Sequence, residues 1–305
     1  MLQTYDPSRL ESAAADELSD ALEDGAIVFF PQAPVPVPSA EDLEFFRAEL
    51  PKLLKLKNIS YHPEAGYVRG LDAADAATTE RITRVLTAVS NDIEKFLTSR
   101  MPALTKDWTV GTCSFRPIQE KGRNLKPHAS NELVHIDAGA YGATNGDRIL
   151  RFFINVNPAE DRVWASKGTF PELYSRYGRE AGVSPSAHRS LRKGPLDHLR
   201  TGLLNGIASL GLPAATVLDS SPYDRVMRKF HNFMKDTPAF QQDPIGHEEF
   251  RFPPFSAWMV FTDGVSHASL SGQFAFVHTS IVRLASCRKP ELAPFNLLQS
   301  SAIAA

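Results

Sequence analysis

The sequence predicts a mainly β protein with added helices, and three observations lead there. From Trp108 onward the apolar residues fall in short, strand-length runs separated by turn residues. The first third instead carries apolar residues at helical spacing, and a later block, Trp164 to Gly246, returns to that spacing between strand runs. The chain has 305 residues, 43% hydrophobic, 22% charged and 10% aromatic, a composition that supports a sizeable core. Length alone allows two domains, but β barrels with helical additions run this long as one. A single domain over 1–305 is therefore expected, with helical support at 1–107, core strands at 108–163 and 247–286, and a helical insert or lid at 164–246.

Charge and cysteine usage exclude several classes. A formal net charge of −2 provides no global basic field for nucleic acid. Cys113 and Cys287 lie far apart and form no metal-ligand pattern, which fits a reducing compartment. No apolar run reaches the roughly 18 residues of a membrane helix. Met1-Leu2-Gln3-Thr4-Tyr5-Asp6 lacks the basic-then-apolar layout of a signal peptide, so a cytoplasmic location is expected.

Taken in order, Ser8 to Leu22 is amphipathic, and Ala26 to Phe30 is an apolar run halted by Pro31, a buried strand. A Pro-rich connector, Pro34 to Pro38, precedes Ser39 and Asp42, which resemble a capping box opening a helix through Phe45, Phe46 and Leu50. Thr78 to Leu97 carries Ile82, Val85, Leu86, Val89, Ile93 and Leu97 at helical spacing. Val110 to Arg116 alternates as a strand. A polar, basic stretch follows from Gln119 to Asn131, with Lys121, Arg123, Lys126 and His128. Leu133 to Ala138 reads as a strand bearing His135 and Asp137, then a Gly-rich loop runs from Gly139 to Gly146. Arg148 to Val156 is the strongest strand candidate. In the insert, Phe170 to Tyr177, Pro195 to Leu210 and the stripe Tyr223, Met227, Phe230, Met234 read as helices. His188, His198, His231 and His247 also lie there, and isolated histidines are more often surface or core residues than ligands. Ala257 to Phe261, Val265 to Leu270 and Phe274 to Val282 read as an antiparallel meander, followed by a wrapping tail after Cys287.

Chemistry enters at His135-Ile136-Asp137. Residues two apart on a strand point the same way, and an imidazole with a carboxylate makes two thirds of the facial triad that holds catalytic Fe(II) with positions left open. Alone the tripeptide is a weak signal. His267, beside a tight turn after a long gap, is the candidate third ligand; His278, mid-strand among apolar residues, competes less well. An arginine in an apolar strand is unusual because burying an unpaired guanidinium is expensive. Arg148 and Arg151, three apart, face opposite sides of a regular strand, so at most one is expected to reach a pocket. Gly264 to Ala268 superficially resembles a nucleophile elbow, but a strand rather than a helix follows and no Asp comes after Ser266.

The order His-x-Asp, gap, His, Arg resembles the Fe(II)/2-oxoglutarate-dependent oxygenases. More closely, several runs resemble the hydroxylases that act on 3-deoxy-D-manno-oct-2-ulosonic acid (Kdo) in bacterial lipopolysaccharide. These are Leu133 to Ala138, Arg148 to Arg151 with Asn155 to Pro158, Phe252-Pro253-Pro254, Val260 to Asp263, and Val265 to Ala268 with Ser271-Gly272-Gln273. They span about residues 111 to 282 and leave out the N-terminal helices. The resemblance implies a double-stranded β-helix (jelly-roll, cupin-like) core, with Fe(II) held by His135, Asp137 and His267, and 2-oxoglutarate and O2 as co-substrates. A cationic side chain would pair bidentately with the distal carboxylate of 2-oxoglutarate. Arg148 and Arg151 are the favoured candidates, ahead of Arg283, because the family's last strand does not consistently carry an arginine there. The implied reaction hydroxylates a C–H bond, at the 3-position of Kdo in lipid A or the lipopolysaccharide inner core. The implied partner is a Kdo-containing lipid A precursor or another sugar acid, with peripheral contact at the inner membrane. Arg116, Lys121, Arg123 and Lys126, with His128, are candidates for a basic substrate rim. The alternatives are a non-redox metal-binding jelly roll (a sugar isomerase or binding module) and a 2-oxoglutarate oxygenase with another small-molecule substrate.

Overall fold

Strand β6 (Arg148–Asn155) shows how the molecule is layered. Its even-numbered apolar residues, Leu150, Phe152 and Ile154, join one core, while Phe153 joins another, as the two-residue period of a strand requires. The structure is a computed structural model and describes residues 1–71, 75–139, 143–183, 191, 193–209 and 220–303, without the side chains of 204–209 and 301–303. The expected His188, the end of the Pro195 to Leu210 helix at Leu210, and Ala140, Tyr141 and Gly142 of the Gly-rich loop lie outside the described residues.

β6 sits in an eight-stranded mixed sheet ordered β1-β2-β9-β6-β11-β5-β3-β4. Its other members are β1 (Leu2–Thr4), β2 (Ile27–Phe30), β3 (Ile59–His62), β4 (Tyr67–Arg69), β5 (Thr109–Arg116), β9 (Ala257–Phe261) and β11 (Ala275–Val282). A second, three-stranded sheet runs β10-β7-β8, from β10 (Ala268–Ser271), β7 (Arg162–Ser166) and β8 (Glu248–Phe252). The chain passes from β6 in the large sheet to β7 in the small, then β8, β9, β10 and β11 in turn. The last three thus alternate between sheets instead of forming the expected meander, the connectivity of a double-stranded β-helix. The expected jelly roll is what the chain forms.

The outer face of the large sheet is covered by α1 (Pro7–Ser12), α2 (Glu17–Glu23), α3 (Ala40–Ala48) and the long α4 (Ala76–Arg100). Asp75 caps α4 by accepting the Thr78 N–H at 2.8 Å, and the stripe Ile82, Val85, Leu86, Val89, Ile93, Leu97 is buried against β6, β9 and β11 residues. The stretch expected as one helix from Ser8 to Leu22 breaks into α1 and α2, because Asp16 turns into the left-handed region (φ 63°) and its N–H bonds the Arg100 carbonyl at the end of α4. The N-terminal third also supplies four strands, β1 to β4, not the single one expected.

Between the sheets lies an aromatic core. Trp258 stacks on Phe252 at 3.9 Å and on Phe153 at 5.0 Å, with Trp164 edge-on to Phe153 at 4.8 Å. Rings of this size each bury roughly 150–250 Å² and hold the sheets in register. The expected insert starts only after β7 ends at Ser166: Trp164 belongs to the barrel. Beyond it come α5 (Phe170–Tyr177), α6 (Pro195–Ser209), α7 (Pro222–Asp236) and α8 (Pro238–Gln242). Of these, α5, α7 and α8 form a third core with α9 (Pro294–Ile303) from the tail, and with Val134 and Ile136 from the His-x-Asp segment.

Candidate active site

The His-x-Asp segment is not a regular strand. It makes one antiparallel bridge, in which the His135 N–H donates to the His267 carbonyl (3.0 Å) and the His267 N–H to the His135 carbonyl (2.8 Å). Such a doubly bonded pair projects both side chains to one side. Asp137, two residues on, projects to the same side and anchors its N–H on the Thr262 carbonyl at 2.8 Å. The ligand atoms of His135, Asp137 and His267 all lie within 4.8 Å of one another, and all three residues are buried.

Hydrogen bonds choose the imidazole nitrogen. Nδ1 of His135 lies 2.7 Å from the Leu133 carbonyl, and Nδ1 of His267 lies 3.1 Å from the Val265 carbonyl. A carbonyl only accepts, so each Nδ1 carries the proton and each Nε2 presents its lone pair, at 3.7 and 4.0 Å from Asp137 Oδ1. Burial holds both rings neutral: it depresses His267 to about 4, and with His267 alongside it takes His135 well below the ordinary imidazole value. Burial pushes the Asp137 carboxyl up, but the Arg151 guanidinium, 3.0 Å from Oδ2, with the two imidazoles, outweighs it and holds the carboxyl well below the usual carboxylate range. Trp164 stacks on His267 (5.3 Å, 24°), and His231 stands edge-on to His135 at 5.1 Å with Nδ1 on the Ile136 carbonyl at 2.7 Å. These contacts fix both rings from behind.

The three residues open onto a cavity of about 160 Å³, also lined by Lys57, Arg116, Asn131, Arg151, Phe153, Arg162, Trp164 and Ser269. The cations gather round a buried carboxylate, Glu120, which lies 3.4 Å from Arg162 Nη2, 3.4 Å from Arg123 Nη1, 3.9 Å from Arg116 Nη1 and 3.2 Å from Asn131 Nδ2. Burial, with Arg151 nearby, lowers Arg116 to about 10.

Of the expected co-substrate arginines, Arg151 faces the cavity and the other two do not. Arg148 points to the opposite face of β6, where its Nε meets Asp263 Oδ2 at 2.6 Å over the Phe261 ring. Arg283 lies outside, paired with Asp147 at 3.0 Å and donating to the Asp107 carbonyl. Of the expected rim, Arg116 lines the cavity and Arg123 reaches it through Glu120, while Lys121, Lys126 and His128 are exposed, His128 on Asp236 at 2.7 Å. His278 faces the helices, 3.7 Å from Glu94 and beside Trp108. Sequence reasoning missed Lys57, Glu120, Asn131, Arg162, Trp164, Ser269 and His231. The rule applied to Arg151 would have found Arg162, which opens the apolar run Val163-Trp164-Ala165.

The donor set suits the metal that the resemblance implies. Two neutral imidazole nitrogens and one carboxylate on one face, the rest open, match the Fe(II) facial triad. Asp137 Oδ2 has the Arg151 ion pair but no hydrogen bond, and Nε of Arg116, Arg151 and Arg162 are buried donors without acceptors. Buried donors left without acceptors beside a face of two exposed imidazole lone pairs and a carboxylate fit an anionic ligand and a cation.

A jelly roll with this face and this cationic cavity defines the class of Fe(II)/2-oxoglutarate-dependent oxygenases. The comparisons give the particular family: the chain belongs to the 3-deoxy-D-manno-oct-2-ulosonic acid (Kdo) hydroxylase family, whose model matches residues 7–304. Among solved structures it is similar to the apo form of the Kdo hydroxylase KdoO, a non-heme Fe(II) α-ketoglutarate-dependent dioxygenase. The identity is 26% over 98% of this chain and 95% of that one, with a TM-score of 0.80. It is equally similar to KdoO with α-ketoglutarate and Fe(III), and with cobalt(II), each at 26% identity, the same coverage and TM-score 0.80. Among curated proteins none matches.

Proposed function

We propose that this protein is an Fe(II)- and 2-oxoglutarate-dependent hydroxylase of Kdo, acting at its 3-position in lipid A precursor or lipopolysaccharide inner core. The overall reaction converts 2-oxoglutarate, O2 and a C–H bond into succinate, CO2 and a C–OH bond. The observation that carries the reading is the convergence of His135 Nε2, His267 Nε2 and the Asp137 carboxylate within 4.8 Å, both lone pairs exposed by the Nδ1 bonds. These three residues would hold the iron, which when bound supplies the oxygen activation and oxidative decarboxylation that no side chain here can perform.

The rest of the cavity binds and orients. Arg151 is too close to Asp137 to serve the far end of a diacid; it keeps that carboxylate ionised. Arg162 fits the far end better. It lies two residues along β7 from Trp164, the ring stacked on His267, and two strand residues span about 7 Å, the reach of an extended five-carbon diacid. Its guanidinium is held by the Ser269 hydroxyl (2.9 Å) and the Gly272 carbonyl (3.3 Å), which leaves Nε unpaired. With the diacid filling this small cavity, the sugar approaches through the mouth, and Phe153 and Trp164 exclude water from the reacting face.

No helix among the described residues is long and apolar enough to cross a membrane. Peripheral contact with a membrane-held substrate is assigned to α6, where Leu196, Leu199 and Leu203 are 82%, 72% and 66% exposed along one stripe. The buried free thiols Cys113 and Cys287 suit the cytoplasmic side. The test is succinate formation by purified protein with Fe(II), 2-oxoglutarate, O2 and a Kdo-containing acceptor, with mass spectrometry of the product. A gain of one oxygen on Kdo, abolished in His135→Ala, is expected; succinate without oxygen gain on any sugar acid would defeat the substrate assignment.

A further inference from the structure

Among the cations lining the cavity, Lys57 is alone in having no partner. Arg151 has Asp137, while Arg116 and Arg162 share Glu120. Lys57 has no ion pair or hydrogen bond among the described residues; it stands in the field of Arg116, Arg123 and Arg151, with Glu120 as the one acidic group acting on it, and desolvation together with Arg116 lowers its pKa. Glu120 offsets part of this repulsion, but it is already engaged by Arg116, Arg123 and Arg162, so the ammonium retains the capacity to take up a further anion.

Its backbone is also held in place. Lys55 N–H and Leu56 N–H both donate to the Gly70 carbonyl, at 2.9 and 3.3 Å. Gly70 (φ 105°) lies so close to Asn58 that an added Cβ would stand 2.3 Å from its carbonyl oxygen. Two residues further on, β3 pairs with β5 with Ile59 opposite Phe115. Continuing that register brings Lys57 beside the end of β5, where Arg116 enters the cavity. The segment Lys55 to Asn58 therefore carries Lys57 to the mouth on a fixed backbone.

We propose that Lys57 is the residue that receives the carboxylate of the sugar-acid substrate, so that the N-terminal third supplies substrate discrimination as well as support. The inference rests on the functional reading above. Arg162 and the metal face engage the co-substrate inside, which leaves the unpaired ammonium at the entrance for the one further anion that must bind. A neutral sugar would leave it unmatched.

The experiment compares wild type, Lys57→Met and Lys57→Arg, each with Fe(II) and 2-oxoglutarate. Kdo is titrated at equilibrium without oxygen, and turnover is measured with oxygen. Lys57→Met is expected to weaken Kdo binding and raise its KM about tenfold, with the KM for 2-oxoglutarate and the sugar-independent release of succinate unchanged. Lys57→Arg should recover most of the affinity. Equal Kdo binding by wild type and Lys57→Met, or a rise confined to the KM for 2-oxoglutarate, overturns the inference. A wild type that binds Kdo through Lys57 but gains no oxygen on it overturns the functional reading alone. One that does not bind Kdo overturns both.

Discussion

Replacing Arg162 and Arg148 separately by methionine tests how the arginines divide their labour. Each change keeps an unbranched stem and deletes the guanidinium. At Arg162, losing the proposed charge-assisted contact to the co-substrate would cost about 1.5–3 kcal/mol, or roughly ten- to a hundredfold in the KM for 2-oxoglutarate. Stability falls less than for an orphaned buried charge, about 1–3 kcal/mol, because Glu120 keeps Asn131 at 3.2 Å and Arg123 at 3.4 Å. Arg148→Met does the reverse. Asp263, 2% exposed, is left among the described residues with only the Ile149 N–H at 3.0 Å, and stranding a buried charge costs about 3–5 kcal/mol. At about 2–4 °C per kcal/mol, Tm should fall on the order of 10 °C while the KM for 2-oxoglutarate stays put. Initial rates of succinate release across 2-oxoglutarate concentrations, with calorimetric melting of the same samples, measure both. A wild-type KM in Arg162→Met, or a raised KM without lost stability in Arg148→Met, would refute the assignment.

Two further outcomes are expected. Replacing Leu196, Leu199 and Leu203 together by serine should abolish co-sedimentation with vesicles containing anionic lipid and leave turnover of free Kdo intact; undiminished sedimentation would remove α6 as the contact. Burial lowers Lys235 to about 8, below the ordinary lysine value of about 10.4. Between those values the unfolded chain binds the extra proton, so stability gains a rising contribution as pH increases from about 8 towards 10. Urea titrations should show wild type gaining on Lys235→Met across that window, and parallel curves would contradict the burial argument.

Much of the fold was legible because period and chemistry agreed. The stripes of α4 and α7 and the alternation of β6 each stood out against polar neighbours. The opposite orientation of Arg148 and Arg151 follows from the strand period alone, and Arg148 does face away from the cavity. The strands missed were those with weak local signals. β7 is five residues buried on both faces and resembles the start of the helical block; β3 and β4 are short and partly exposed. The histidines misled for a related reason. His231 reads as one polar residue on an amphipathic helix, and only the packing of α7 against the His-x-Asp segment brings it to the Ile136 carbonyl.

For this chain, sequence by itself determined the residue types of the candidate metal face, their order, and the family whose motifs they match, since these are written in contiguous runs. Tertiary structure alone decided which cations line the same cavity. His135 and Asp137 became half of a site through a bridge to His267, and Arg162, Lys57 and Glu120 converged from three separate segments. Charge converging across two sheets leaves no periodic trace in any one stretch, because its energy depends on distance and burial and not on sequence neighbours.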